Sequence, residues 1–449
     1  MLIDQLAEFT SQVSLETIPR KTVEKTKLHV FDTLAATQVG ARTEEGKANL
    51  DLFRTWIPPA DGPGIPVPGF ELRAPLPSAV FLSCVATRLT EMDDIDIASC
   101  TTPGSVAVPS ALTLACHAGA SGRSFLESVV VGYEVMTRLA AAVNGPVILY
   151  RGVWPTYLCA AVCVAAVGSK MLRLSTDQTR HALAISLSMS TGTAGRIKGG
   201  LSSRWLTLGS AAQGGLLAAM AAERGFSGDP TILDTLFPSV YGLELRSEVL
   251  LAGLAETFMI DRVNIKPYCS ARQGIASVEA FRWILTNHAI RAEDLNEVEV
   301  LVPQQYSQMI DRGDFPEDRL ASITGIQYQL ALAAFHEEDL FDTERKVLRD
   351  NDTVRNFMKK VRVAPSPQLT EMFPQTWPGK VSVKGAGKGF EHEVLSPQGD
   401  AAAPMTWSDV EQKWKRAGRD AVQPERIEEL ETQVKEINEA KKVDGLLRT

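Results

Sequence analysis

Small side chains fill the helical patterns of the first 260 residues, and this limits the fold more than any other feature. The run Ala160-Ala161-Val162-Cys163-Val164-Ala165-Ala166 is the clearest case. Helices built from such residues approach one another closely, which predicts interior members of a bundle rather than surface helices. Apolar residues recur every three to four positions. Residues 21–40 carry Val23, Leu28, Val30, Phe31 and Leu34, and residues 78–94 carry Phe81, Val85, Leu89 and Met92. Three serine-led boxes predict helix starts: Ser124 to Glu127, Ser175 to Gln178 and Ser210 to Gln213. Gly225, after Glu223-Arg224, sits where a helix-ending glycine belongs.

The pattern changes near residue 262. Val263 to Ile265 reads as a strand, 272–288 as a helix, Val298 to Val302 as a strand and 320–336 as a helix. Val361 to Val363 and Lys380 to Leu395 read as further strands, the latter folded at Gly385-Ala-Gly-Lys-Gly389. Residues 407–449 are charged and helical. The expected fold is mainly α. It has a large all-helical domain (1–263 and 398–449) and a smaller α+β domain (264–397) inserted before the C-terminal helices.

Composition narrows the function. The 449 residues hold 46 basic and 54 acidic side chains, a net charge of −8. An acidic chain lacks the basic face that phosphate backbones require, so no nucleic-acid partner is expected. The six cysteines include no C-x-x-C pair, which fits a reducing, cytoplasmic setting. The start, MLIDQLAEF, has no basic region of a signal peptide. The longest apolar run, 158–167, is about half the length that spans a bilayer, so no membrane partner is expected.

Few motifs carry chemistry. Gly385–Gly389 lacks the Lys-Ser/Thr and following helix of a phosphate loop, and reads as a hairpin turn. There is no G-x-S-x-G. No two of the six histidines have metal-pair spacing, so no metal is expected. Two features remain. The acidic cluster Glu91-Met-Asp93-Asp94-Ile-Asp96 closes an apolar helix, where the macrodipole opposes carboxylates, so something must compensate. Against it stands a stretch without Asp or Glu, 178–222, which holds Arg180, Arg196, Lys198 and Arg204 around a glycine-rich segment. Guanidinium forks and glycine N–H groups suit carboxylates. A second cationic segment, Lys266-Pro-Tyr-Cys-Ser-Ala-Arg272, falls at the expected domain junction, where ligand clefts concentrate.

Taken in order, these segments resemble the MmgE/PrpD family, which includes 2-methylcitrate dehydratase, cis-aconitate decarboxylase and iminodisuccinate epimerase. The pieces that carry the resemblance are His29-Val-Phe-Asp-Thr-Leu-Ala, Glu91-Met-Asp-Asp94, Pro103-Gly-Ser with Val108-Pro-Ser-Ala111, Gly132-Tyr-Glu-Val, Gly152-Val-Trp-Pro-Thr, Gly209-Ser-Ala-Ala-Gln through Glu223-Arg-Gly-Phe, and Ile265-Lys-Pro-Tyr-Cys. The resemblance implies a helical domain with a smaller lid domain, an active site between them, a homodimer, and chemistry without metal or organic cofactor. It places Glu91, Asp93 and Asp94 in the site. Arg204 falls where decarboxylase-like members carry lysine. Lys266 matches the junction lysine, and Tyr328 a tyrosine facing the site.

Two departures select among activities. Dehydratases and decarboxylases of the family carry a histidine before the Pro-Gly-Ser turn, where this chain has Thr102. They carry another in a His-Pro helix start, where it has Trp154-Pro155. Imidazole is the side chain suited to proton delivery at neutral pH. Its loss at both places favours the epimerase branch. The expected reaction is removal and return of a proton alpha to a carboxylate in a small anionic substrate such as iminodisuccinate. Lys198, Lys266, Tyr268 and Tyr328 are the candidate proton carriers. Arg196, Arg204 and Arg272 would hold carboxylates, with Glu91, Asp93, Asp94, Thr102 and Trp154 completing the binding site. The alternatives are a lyase resembling 2-methylcitrate dehydratase or cis-aconitate decarboxylase, and a lapsed homologue that only binds anions.

Overall fold

The computed structural model describes residues 1–55, 64–190, 192, 202–236, 238–239, 242–345, 351–385, 387–419 and 422–447. It is mainly helical, with a smaller α+β part. The chain divides into two compact units. One comprises residues of Met1–Gly195, Leu201–Ile265 and Gly418–Thr449, and the other is centred on Lys266–Ala417.

The first unit is a stack of helices. Its first ten are α1 (Leu2–Gln12), α2 (Arg20–Gly40), α3 (Glu44–Phe53), α4 (Leu76–Leu89), α5 (Gly104–Ala118), α6 (Gly122–Ala142), α7 (Gly145–Tyr150), α8 (Pro155–Met171), α9 (Thr176–Ser188) and α10 (Ser203–Glu223). A two-residue antiparallel pair, β1 (Ile65–Pro66) and β2 (Arg73–Ala74), lies between α3 and α4. Helix α8 is the axis. It is buried from Pro155 through Ser169 and packs against α5, α6, α9 and α10. The small-residue pattern explains how. A Cβ on Gly215 of α10 would stand 2.2 Å from the Ala161 carbonyl oxygen of α8, so glycine there sets the helix separation. Burial pushes the Cys159 and Cys163 thiols above the ordinary range, as expected of core cysteines. Among the described residues, no helix is long and apolar enough to cross a membrane.

The second unit is built on a four-stranded sheet of order β4-β3-β5-β6, with β3 Leu295–Val302, β4 Val361–Pro365, β5 Gly379–Gly385 and β6 Lys388–Val394. Strands β3 and β4 are parallel, β3 and β5 antiparallel, and β5–β6 form the hairpin expected at Gly385–Gly389. Helix Arg272–Asn287 packs on β5 and β6. Of the charged C-terminal segment, helix Trp407–Ala417 groups with this unit and helix Pro424–Lys435 with the first.

Several local expectations are corrected. Ser175 makes its capping box with Gln178. Ser124 instead lies inside α6, because Ser121 caps that helix by accepting from the Ser124 N–H, while Glu127 accepts from the Leu15 N–H at 3.0 Å. Ser210 lies inside α10, and Gln213 donates to the Pro77 carbonyl at 3.0 Å. In both, the box residue has a better partner elsewhere. The expected strand at 263–265 is a single bridge, Asn264 with Ile95. The helix expected over 320–336 breaks at Gly325, which is extended (φ −74°, ψ 111°), into Arg319–Thr324 and Ile326–Phe335. Helix α4 stops at Leu89, before the acidic cluster, because Glu91 turns left-handed at φ 53°.

Candidate active site

The acidic cluster is a turn held inside the first unit. Left-handed backbone costs a non-glycine residue about 1–2 kcal/mol, so Glu91 is kept there by its contacts. Arg88, in the last turn of α4, reaches Glu91 at 2.8 Å and Asp93 at 3.2 Å. Arg204, in the first turn of α10, meets the other Glu91 oxygen. The macrodipole conflict read from the sequence is thus resolved by two cations. All four residues are at most 9 % exposed. Burial opposes the Arg88 charge, but Asp93 and Glu91 more than offset it and hold it protonated.

Aromatic rings wall this cluster. The Arg204 guanidinium lies 4.0 Å from the Trp205 ring centroid and 5.7 Å from that of Trp154. Arg88 lies 5.9 Å from Trp205. Trp154, at the start of α8, stacks on Tyr157 one turn later, with centroids 5.7 Å apart and planes 15° apart. Between them in sequence, Thr156 accepts from the Thr102 N–H at 3.1 Å, and the two hydroxyls meet at 3.3 Å. Thr102, one of the two positions where the family's imidazoles would stand, is thus bonded to Thr156, two residues after the other, Trp154.

The cluster is incompletely satisfied. Tyr157 Oη, Arg88 Nε, Arg204 Nε and Trp205 Nε1 are buried and have no hydrogen-bond partner among the described residues. Burial pushes the Tyr157 hydroxyl above the ordinary tyrosine range, against the opposite pull of Arg204 and Arg88. The cluster thus sets two guanidiniums against two carboxylates, with the donors Arg88 Nε, Arg204 Nε and Trp205 Nε1 unpaired among the described residues.

Asp94 is different. Its Oδ1 accepts from the Gly104 N–H at 2.8 Å, and its Oδ2 meets His29 Nδ1 at 2.9 Å and accepts from the Tyr133 hydroxyl. Asp96 pairs with Arg262 at 2.9 and 3.0 Å and accepts from the Ser99 N–H. These two carboxylates tie the turn to α2, α5, α6 and the segment after α10.

Two family models match this chain, the MmgE/PrpD N-terminal domain over residues 4–237 and the MmgE/PrpD C-terminal domain over 268–437. The chain belongs to the MmgE/PrpD family. Among similar proteins is a cis-aconitate decarboxylase-like protein, oryM, of Aspergillus oryzae. It is 22% identical over 99% of this chain and 96% of its own length. A cis-aconitate decarboxylase of Aspergillus terreus is 22% identical over 99% of this chain and 94% of its own length.

The remaining expected residues divide between the units. Lys266, Tyr268, Arg272 and Tyr328 belong to the second unit and are all buried. Tyr268 donates to the Ile275 carbonyl at 3.3 Å, and burial pushes its hydroxyl up. Arg272 binds both Asp400 oxygens at 2.7 and 2.6 Å and the Trp377 carbonyl at 3.3 Å. Tyr328 packs edge-on against Phe315. Arg196 and Lys198 lie outside the described residues. Sequence reasoning missed Arg88, Thr156, Tyr157 and Trp205. Arg88 stands three residues before Glu91 on a helical pattern, which is a legible pairing signal. Tyr157 gave none, since an aromatic at helical spacing reads as core.

Proposed function

We propose that the chain is a cofactor-independent epimerase of a small polycarboxylate, an amino-acid derivative such as iminodisuccinate. It would take a proton from the carbon alpha to a carboxylate and return one to the opposite face. The arrangement that supports this most is the Arg88–Glu91–Arg204 cluster against two indoles, with Thr102 and Trp154 where proton-delivering imidazoles would stand. Removing the proton leaves an enediolate, whose added charge needs fixed cations in a dry site. Arg204, with Arg196, would hold the substrate carboxylates, and Glu91 and Asp93 orient the cations. Lys198, Lys266 and Tyr328 are the carriers we retain. Tyr268 already donates to a backbone carbonyl, and Arg272 is committed to Asp400, so both become framework in this reading.

The relatives named cis-aconitate decarboxylases favour a second reading, a lyase. The two reactions share their difficult species. Loss of a proton or of carbon dioxide leaves a carbanion beside a carboxylate, which must then be protonated. Proton NMR in deuterated water separates them. Acidic amino-acid derivatives, iminodisuccinate and tricarboxylates are incubated with the enzyme. Epimerisation replaces the alpha proton by deuterium with no new double bond. Vinyl signals with carbon dioxide release or dehydration identify a lyase and overturn the epimerase. Thermal stabilisation by these anions without either change identifies a binding homologue.

A further inference from the structure

The Tyr157 hydroxyl is a buried polar group that the described residues leave unpaired. The residue is 1% exposed, yet its oxygen has no hydrogen-bond partner among the described residues. Buried hydroxyls are ordinarily paired, and an unpaired one in a native core calls for a reason. Its surroundings supply one. Tyr157 stacks on Trp154, which lies beside Arg204, and it sits next to Thr156, which binds Thr102. Arg204, Arg88, Glu91 and Asp93 all act on it electrostatically. It therefore stands one helical turn after Trp154 and next in sequence to Thr156, which bonds Thr102.

We propose that Tyr157 is the proton donor of this site, its hydroxyl giving a proton to the substrate carbanion in place of the two imidazoles the chain lacks. The proposal rests on the carbanion reading above. In epimerisation, a base on one face takes the alpha proton and the C–H electron pair passes into the enediolate. The Tyr157 O–H then breaks, its proton forms the new C–H bond on the other face, and a tyrosinate remains. Arg204 and Arg88 stabilise that tyrosinate until the base's proton returns to it, directly or through solvent. In a decarboxylation the same O–H would protonate the carbon that lost carbon dioxide, and solvent would restore it. A neutral phenol suits the step, because the carbanion is far more basic than tyrosinate.

Tyr157→Phe tests this, since it removes one unpaired oxygen and keeps the stack on Trp154. Turnover of the substrate found by NMR should fall by about 10²–10⁴-fold. The melting temperature should stay level or rise, because an unsatisfied buried group is removed. Tricarballylate, a non-reacting tricarboxylate, should bind the variant about 3- to 10-fold more weakly by calorimetry, one hydrogen bond being lost. Turnover within threefold of wild type overturns the proposal. If the wild type moves no proton on any anion, the functional reading fails, and the tricarballylate measurement decides Tyr157 alone. Weaker binding by the variant then still places the hydroxyl at the ligand. Equal binding, or none by either protein, overturns its role.

Discussion

Glu91 and Asp94 stand three residues apart in one buried turn, yet their surroundings are opposed. Asp94 is saturated by a backbone N–H, an imidazole nitrogen and a phenol, each from a different helix. Glu91 is shared by two guanidiniums, and the groups around it keep unpaired donors. A carboxylate whose two oxygens are both engaged by framework has little left for a ligand. Those around Glu91 are held in place with bonding capacity to spare. Arg272 and Arg204 also differ: the Arg272 fork takes both Asp400 oxygens, whereas Arg204 meets one Glu91 oxygen beside two indoles, and each keeps an unpaired Nε among the described residues.

The largest effect should come from breaking the saturated side. Asp94→Ala orphans three buried donors at about 1–3 kcal/mol each and should unfold the protein or lower its melting temperature drastically. Glu91→Gln keeps the shape, leaves Arg88 with Asp93, and should abolish turnover at a far smaller cost in melting temperature. Equal thermal losses in the two variants would erase the distinction. Arg272→Met should follow Asp94, losing about 3–5 kcal/mol in urea unfolding by stranding Asp400 in the interior. Arg204→Met should instead lose about 10²–10³-fold in kcat/KM. Arg204→Lys, which keeps the charge but loses the planar fork and its stack on Trp205, should recover only a small part of it. A folded Arg272→Met protein with unchanged stability and no turnover would reverse the assignment.

Much of this was legible in the residues. The small-residue helices, the change of pattern near 262 and the hairpin at Gly385–Gly389 follow from periodicity and turn chemistry, which are local. The acidic cluster was singled out because carboxylates after a helix end need compensation, and the compensating Arg88 and Arg204 are present. What could not be read is which carboxylate each cation chooses. Asp93, Asp94 and Asp96 look alike in sequence. Only the tertiary packing sends one to Arg88, one to Gly104, His29 and Tyr133, and one to Arg262. The capping boxes at Ser124 and Ser210 failed for the same reason, as distant partners, Leu15 and Pro77, outcompeted the local bond.

A smaller effect tests how tightly the saturated side is built. Gly104→Ala in the first turn of α5 would normally gain about 1 kcal/mol from helix propensity. Here the new Cβ would stand 2.7 Å from both Asp94 Oδ1 and Tyr133 Oη. The surrounding side chains are fully buried and cannot yield, so the substitution should destabilise by about 1–3 kcal/mol, reversing the usual sign. A gain in melting temperature would show the Asp94 knot to be looser than its distances suggest.

The mildest test uses pH. Burial raises the hydroxyls of both Tyr133 and Tyr157 above the ordinary value of 10.0, and Asp94 adds to the rise at Tyr133. The folded state therefore holds these protons after the unfolded chain has released them. Stability is unaffected by them below pH 10 and falls as pH climbs past it, by at most about 1.4 kcal/mol per pH unit for each proton. Melting temperatures between pH 9 and 11 should show this fall, and Tyr133→Phe and Tyr157→Phe should each flatten it. Tyr157→Phe should do so without lowering stability at pH 8, because its hydroxyl has no hydrogen-bond partner among the described residues. Tyr133→Phe should lower stability at pH 8 as well, because it takes a donor from Asp94. If the two variants behave alike at pH 8, the difference between a filled site and an open one is not where these two tyrosines place it.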